Sequence, residues 1–302
     1  MQIFDSHIHL FSDSIIRNVR QKRELVRQLR LQTAGADKRT SAAVLAADLR
    51  AAEVAGALLL PTANAANVHK TNRRCIEIAA RNDFLQTAGT LHPDDPELEK
   101  EIAFLRNHRV RVIKLCAFSQ GFVLNGPRAL DMFDAIQSAN RDVSRPLAVV
   151  LDTLYAADRH FGTRPEYNIH PRLLAELANC YPGINFIGAH MGGLNAPYEE
   201  IRTHLTPRPN LFLDTSNAAH VLTAGQFCDL AAAHGPRHIL FGTDWPWFFH
   251  VNEIRRIDDL LNQAGFSGKD KCSVFYGSSA GLVGKVLSNE GCDPAMTAGT
   301  SV

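Results

Sequence analysis

Cysteine is sparse in this chain. Six occur in 302 residues, at positions 75, 116, 180, 228, 272 and 292, and no two form a Cys-x-x-Cys pair. In a chain of this length they read as reduced, mostly buried thiols and not as a disulfide framework. Charge of one sign is missing too: 32 Lys and Arg against 31 Asp and Glu leave a formal net charge of +1. There is thus no electrostatic footprint for nucleic acid or an anionic membrane, and neither is expected as a partner. The longest apolar runs, 54–61 and 146–151, are strand-length and far too short to span a bilayer. Met1-Gln2 leads straight into the first apolar stretch, without the basic segment and apolar core of a secretory leader. A cytoplasmic setting is expected. No Gly-x-Gly-x-x-Gly follows an early strand, which leaves a doubly wound nucleotide-binding sheet without support.

What is present is a regular alternation. Eight short runs rich in Val, Ile, Leu and Phe occupy 3–10, 56–61, 85–91, 110–117, 147–152, 184–190, 211–215 and 239–244, with helical patterns between most of them. Apolar strand cores alternating with amphipathic helices predict a parallel sheet covered by helices. Eight such units predict an α/β fold of the (β/α)8 TIM-barrel type, one domain over 1–287. Asp95 is placed to cap a helix begun by Pro96-Glu97, and Ala129, Phe133 and Ile136 share one helical face. Residues 288–302 are small, polar and glycine-containing, and a disordered tail is expected there.

Between the first two runs lies an insertion, about 11–49. Its segment 17–39 carries Arg17, Arg20, Lys22, Arg23, Arg27, Arg30, Lys38 and Arg39 against Glu24 and Asp37. It reads either as a solvated basic helix or as a lid or dimer arm that attracts an anionic substrate. A homodimer built on this arm is one expectation.

Polar groups gather where the runs end: His7 and His9, Thr62 and Asn64, His92, Lys114, Asp152 and Thr153, His190, the segment 214–217, and Asp244. In a barrel these ends open on one face, where the active site is built. In Asp5-Ser6-His7-Ile8-His9 the two imidazoles are two residues apart, so on a strand both point to one side. If barrel closure brings the last run beside the first, Asp244 joins them in a site for a transition metal. His190, followed by Met191 and two glycines that would let the backbone approach a ligand, is a candidate catalytic imidazole or further ligand. Lys114 is a charge inside an apolar strand and needs a partner, either a substrate carboxylate or Asp152. Asp214, before Thr215 and Ser216, reads as a helix cap. His92 is a weaker candidate for the site. Trp245, Trp247, Phe248 and Phe249 form a candidate apolar wall around a substrate, with Trp245 nearest the metal aspartate.

These motifs, together with Ile113-Lys114-Leu115, Gly188-Ala189-His190-Met191-Gly192-Gly193 and Phe241-Gly242-Thr243-Asp244-Trp245-Pro246, resemble those of the amidohydrolase superfamily. The resemblance is to its amidohydrolase-related branch of TIM-barrel metal-dependent hydrolases and decarboxylases. It implies one divalent metal held by His7, His9 and Asp244, with His190 near the reacting group. Members of that branch commonly place a histidine ligand at the end of the fifth strand, where this chain has Asp152. Aspartate ligates zinc, the metal expected first, and also manganese. The metal set expected is therefore His7, His9, Asp152 and Asp244, with Asp244 and His190 catalytic and Lys114 and Trp245 at the substrate.

The leading expectation is hydrolysis of a small, acidic, carbonyl-containing substrate (lactone, amide or ester) by a metal-activated water. The alternative is non-oxidative decarboxylation of an unsaturated or aromatic acid. A barrel that binds a small molecule without turning it over is a third reading, and the Asp152 departure is its support.

Overall fold

All eight apolar runs become parallel strands in the computed structural model, which describes residues 1–141 and 143–284. They are β1 (Phe4–Ile8), β2 (Gly56–Leu59), β3 (Leu85–Thr87), β4 (Gly89–Thr90), β5 (Val112–Leu115), β6 (Ala148–Leu151), β7 (Asn185–Gly188), β8 (Leu211–Asp214) and β9 (Ile239–Leu240). The third run is split into β3 and β4 at Ala88. Its N–H still donates to the Leu59 carbonyl at 2.9 Å, so the run stays beside β2 across the break. Pairing runs β1-β2-β3 and then β4 through β9 in chain order. The last run meets the first through three backbone hydrogen bonds: Ser6 N–H to Phe241 at 2.8 Å, Asp244 N–H to His7 at 2.9 Å and His9 N–H to Trp245 at 2.7 Å. This is the expected TIM barrel.

Every residue of β2, β5 and β6 is buried, as strands covered on both faces require. The helix Pro127–Ala139 starts on a proline and buries Ala129, Met132, Phe133 and Ile136, the face read from the sequence. Asp95 acts one step earlier than expected: its carboxylate accepts the Glu97 N–H at 3.0 Å, and the helix begins at Leu98.

The insertion folds into α1 (Asp13–Gln21) and α2 (Arg23–Gln28), with a short turn of 3-10 helix at Ala36–Lys38, before α3 (Ala42–Ala51) returns to the barrel wall. Its apolar side turns inward. Ile16, Val19, Leu25 and Leu29 pack against Leu154, Leu194, Trp247 and Phe248, which belong to loops following β6, β7 and β9. Its basic side faces out, where Arg27 pairs with Glu24 at 2.6 Å and Arg20 with Asp37 at 3.4 Å. The segment is thus a lid by its apolar face and a solvated basic surface by the other.

Cys75 and Cys116 are buried as expected, but Cys180 is exposed. The expected domain end at 287 and the tail 288–302 lie outside the described residues. Among the described residues, no helix is long and apolar enough to cross a membrane.

One packing detail makes stability depend on pH. His234 is buried at the end of the helix Ala224–His234, with Nε2 donating to the Leu205 carbonyl at 2.8 Å and Nδ1 without a partner among the described residues. Burial holds its imidazole down at about 4. Folding keeps it neutral while the unfolded chain binds a proton below about 6.5. The stability it confers is therefore full above that pH and drains away as pH falls toward the folded value. In urea titrations, wild type should lose on the order of 1–2 kcal/mol more than His234→Gln between pH 7 and pH 5. Parallel losses would show that His234 is not the group responsible.

Candidate metal centre

Because β1 side chains alternate, His7 and His9 emerge on the same side, and their Nε2 atoms lie 3.1 Å apart. The other nitrogen of each ring is committed. His9 Nδ1 donates to the Leu60 carbonyl at 2.9 Å, and His7 Nδ1 donates to Asp214 Oδ2 at 2.9 Å, with Ser216 Oγ at 3.0 Å. A carbonyl and a carboxylate only accept, so both protons sit on Nδ1 and both Nε2 atoms present lone pairs to each other. Asp244 Oδ1 completes the group at 3.5 Å from His9 and 3.9 Å from His7. Two lone pairs and a carboxylate oxygen facing one point repel each other unless a cation lies between them. The donor set of two imidazoles and one carboxylate is that of a divalent-metal site.

Asp244 reaches this position through the closing seam. Asp5 accepts the N–H of His7 at 2.9 Å and that of Thr243 at 3.1 Å, tying the first strand to the loop that carries Asp244. Gly242 is required there, since a Cβ on it would come within 2.8 Å of the His7 Cβ. Asp244 itself has a φ of 62°, and His190, Met191 and Asn217 also lie in the left-handed region. Four such residues around one cluster indicate backbone held in place by its hydrogen bonds.

His190 joins a second group of mutually close donors with His7 and Asp214. Its Nδ1 donates to the Ser216 carbonyl at 2.8 Å, and its backbone N–H donates to Asp214 Oδ1 at 2.9 Å. That leaves Nε2 as the free nitrogen of a ring that lines the cavity.

Burial dominates the electrostatics. It pushes the His190 imidazole down to about 4, aided by His7, and drives His9 well below its ordinary value, aided by His7 and Lys114. Burial also pushes Asp214 upward, but the neighbouring His7 and His190 outweigh it and hold the carboxyl below its usual range. Asp244 is raised well above that range by burial and by Asp152, Asp214 and Asp5. A cation at the cluster would reverse this and ionise it.

The structure places four of the expected groups as follows. Asp152 faces the same cavity, but its carboxylate is given to Lys114 at 3.3 Å and it belongs to neither group of close donors. A fully buried lysine requires a counter-charge, and Asp152 supplies it. Burial raises the Asp152 carboxyl, but Lys114, His190, His7 and the Leu154 amide together outweigh it and hold it below the usual range. Trp245 does not line the cavity: it is fully buried and its ring N–H donates to Asp48 at 2.8 Å, so Trp247 takes the lining position. Gly192 and Gly193 serve packing and not ligand approach, since side chains there would strike Leu205 and Ile201. His92 is buried against Gln120 and stays outside the cavity lining.

The sequence reading missed Asp214 and Ser216 as partners of His7, because Asp-Thr-Ser after a strand has the composition of a helix cap. Their signal is positional: in a barrel of parallel strands, the end of β8 lies next to the end of β7 and one strand from the seam.

Alanine at both His7 and His9 should remove a bound divalent ion. Elemental mass spectrometry should find about one ion per chain in wild type and none in the variant. Asp214→Asn should weaken metal binding on the order of 10- to 100-fold, the usual loss when a ligand histidine loses its carboxylate partner. Undiminished affinity would mean His7 is held by other means.

Several solved structures share this architecture. A 5-carboxyvanillate decarboxylase from Sphingomonas paucimobilis superposes with a TM-score of 0.65 at 13% identity, covering 94% of this chain and 99% of that one. A related decarboxylase from Novosphingobium aromaticivorans, with manganese and a nitrobenzoic acid bound, gives 0.67 at 14% identity, covering 94% and 97%. A proposed 2-pyrone-4,6-dicarboxylic acid hydrolase from Pseudomonas putida gives 0.63 at 18% identity, covering 94% and 97%. At these identities the likeness is one of fold. No curated protein matches by sequence. The sequence profile of one family, described as amidohydrolase, matches residues 4–277. With that match over nearly the whole chain, this protein belongs to the amidohydrolase family, whose members are metal-dependent enzymes.

Proposed function

We propose that this protein hydrolyses a small carbonyl compound, a lactone, amide or ester, at the His7, His9 and Asp244 centre. The observation that carries the reading is the pair of Nε2 lone pairs 3.1 Å apart beside Asp244, on the wall of a cavity of about 390 Å³. A divalent cation there, zinc by the nitrogen-rich donor set, supplies Lewis acidity that polarises a carbonyl oxygen and lowers the pKa of water.

The remaining chemistry belongs to the chain. Asp244, once ionised, takes the proton of the attacking water. His190, neutral near pH 7 with Nε2 unengaged, holds or accepts a proton at the reacting centre. Asp214 fixes the His7 tautomer and, through the His190 N–H, the loop on which His190 sits. The lid of α1 and α2 shields the cavity from bulk water, which strengthens each of these interactions.

Decarboxylation draws support from the neighbours named as decarboxylases and from Lys114 as a partner for a substrate carboxylate. Against it, Lys114 is already paired with Asp152, and among the described residues no arginine lines the cavity. The same facts weigh against the acidic substrate expected from the basic arm.

Turnover in oxygen-18 water separates the two reactions: hydrolysis should place the label in the organic product acid, whereas carbon dioxide release with no label in the organic product would favour decarboxylation. His190→Asn should lower kcat on the order of 100- to 10,000-fold while bound metal stays unchanged. A kcat within a few-fold of wild type would remove His190 from the chemistry.

A further inference from the structure

The lining of the cavity divides by origin. Its imidazoles and charged groups, His9, Lys114, Asp152, His190 and Asp244, all stand at or just beyond strand ends. The insertion supplies Ile15, Asn18, Val19, Leu25, Leu29 and Leu31. Helical spacing explains why so basic a segment presents an apolar wall. Ile15 and Val19 stand four residues apart in α1, as do Leu25 and Leu29 in and just after α2, so each pair shares one helix face. Arg17, Arg20, Arg23 and Arg27 fall between those positions and are exposed. Among the described residues, the insertion therefore contributes no charged side chain to the lining.

Aromatic rings carry the same apolar surface to the metal centre. Phe11 stacks on the His9 ring, with centroids 4.5 Å apart and planes 15° from parallel, and meets Trp247 at 5.6 Å. Phe118 and Phe161 pair at 5.1 Å. All four rings line the cavity, and Phe11, Phe118 and Phe161 are only partly buried, so each keeps accessible surface. Apolar surface held open in this way favours an apolar group that covers it. A polar group at the reacting end of a substrate meets the divalent ion. A charge at its far end would instead leave water and be set against leucine and phenylalanine, which is costly.

We propose that the insertion and the rings beside it form an apolar subsite for the body of the substrate. The enzyme then takes carbonyl compounds bearing an uncharged hydrocarbon chain and discriminates against those with a charged far end. The proposal rests on the hydrolytic reading of the adjoining centre and narrows its substrate class.

The test is calorimetric titration of the metal-loaded protein with three hydroxamates, whose chelating end anchors on the ion while the tail reports the far wall. The probes are acetohydroxamate, hexanohydroxamate and the monohydroxamate of adipic acid, which matches hexanohydroxamate in length but ends in a carboxylate. Hexanohydroxamate should bind on the order of 30- to 200-fold more tightly than acetohydroxamate, from burial of its four added methylenes. The adipic probe should bind no more tightly than acetohydroxamate. Leu29→Gln should cut the advantage of hexanohydroxamate over acetohydroxamate on the order of tenfold. Phe118→Gln, at a partly exposed position, should do the same and decides the matter if thermal melting shows Leu29→Gln unfolded. A flat series, no binding of hexanohydroxamate, equal binding of the two six-carbon probes, or an undiminished advantage in a folded variant would each overturn the subsite. The hydrolytic reading fails separately, when affinity climbs with chain length yet neither the p-nitrophenyl ester nor the amide of hexanoic acid is turned over.

Discussion

The carboxylate of Asp5 holds the first strand to the last run, and both the barrel and its metal centre depend on that seam. It takes the backbone N–H of His7 on one side and that of Thr243 on the other. Backbone hydrogen bonds from Ser6 to Phe241 and from Asp244 to His7 continue the join. A barrel has no free edges only once this closure is made. The same closure sets Asp244 against His7 and His9, residues more than two hundred positions away in sequence. Gly242 lets the two backbones come close enough.

Inside the barrel mouth, each buried charge is given a counterpart, and the exceptions mark the chemistry. Lys114 has Asp152, and Asp214 has His7 with the His190 and Ser216 amides. Asp244 alone is pushed far above its usual range by burial and by the acids around it. An uncompensated carboxylate beside two committed imidazoles is costly in an apolar interior unless a cation is bound. The lid then lays a mostly apolar wall over this polar floor, with Arg17, Arg20, Arg23 and Arg27 on the solvent side and Arg39 buried against the Pro246 carbonyl.

Much of the fold was legible because barrel strands are buried on both faces and so appear as uninterrupted apolar runs. All eight were readable as strands, and the helix over 127–139 showed its buried face in the spacing of Ala129, Phe133 and Ile136. Boundaries moved by a few residues where side chains, as with Asp95, bonded one amide away from the position their type suggests. The third run divided at Ala88, and nothing in its composition announces the break.

The pair His7 and His9, and their meeting with Asp244, follow from the sequence once a closed barrel is granted, because strand periodicity and strand-end position are local properties. Partnership is not local. Asp152 looked equally fit to bind metal or Lys114, and only the distance between neighbouring strands assigns it to the lysine. Asp214 and Asn217 both sit in a segment that reads as a helix cap. Folding makes one the orienting partner of His7 and leaves the other's amide buried without a partner among the described residues. Sequence determines which groups stand at the strand ends, whereas their roles depend on which of them the closed ring brings within hydrogen-bonding reach.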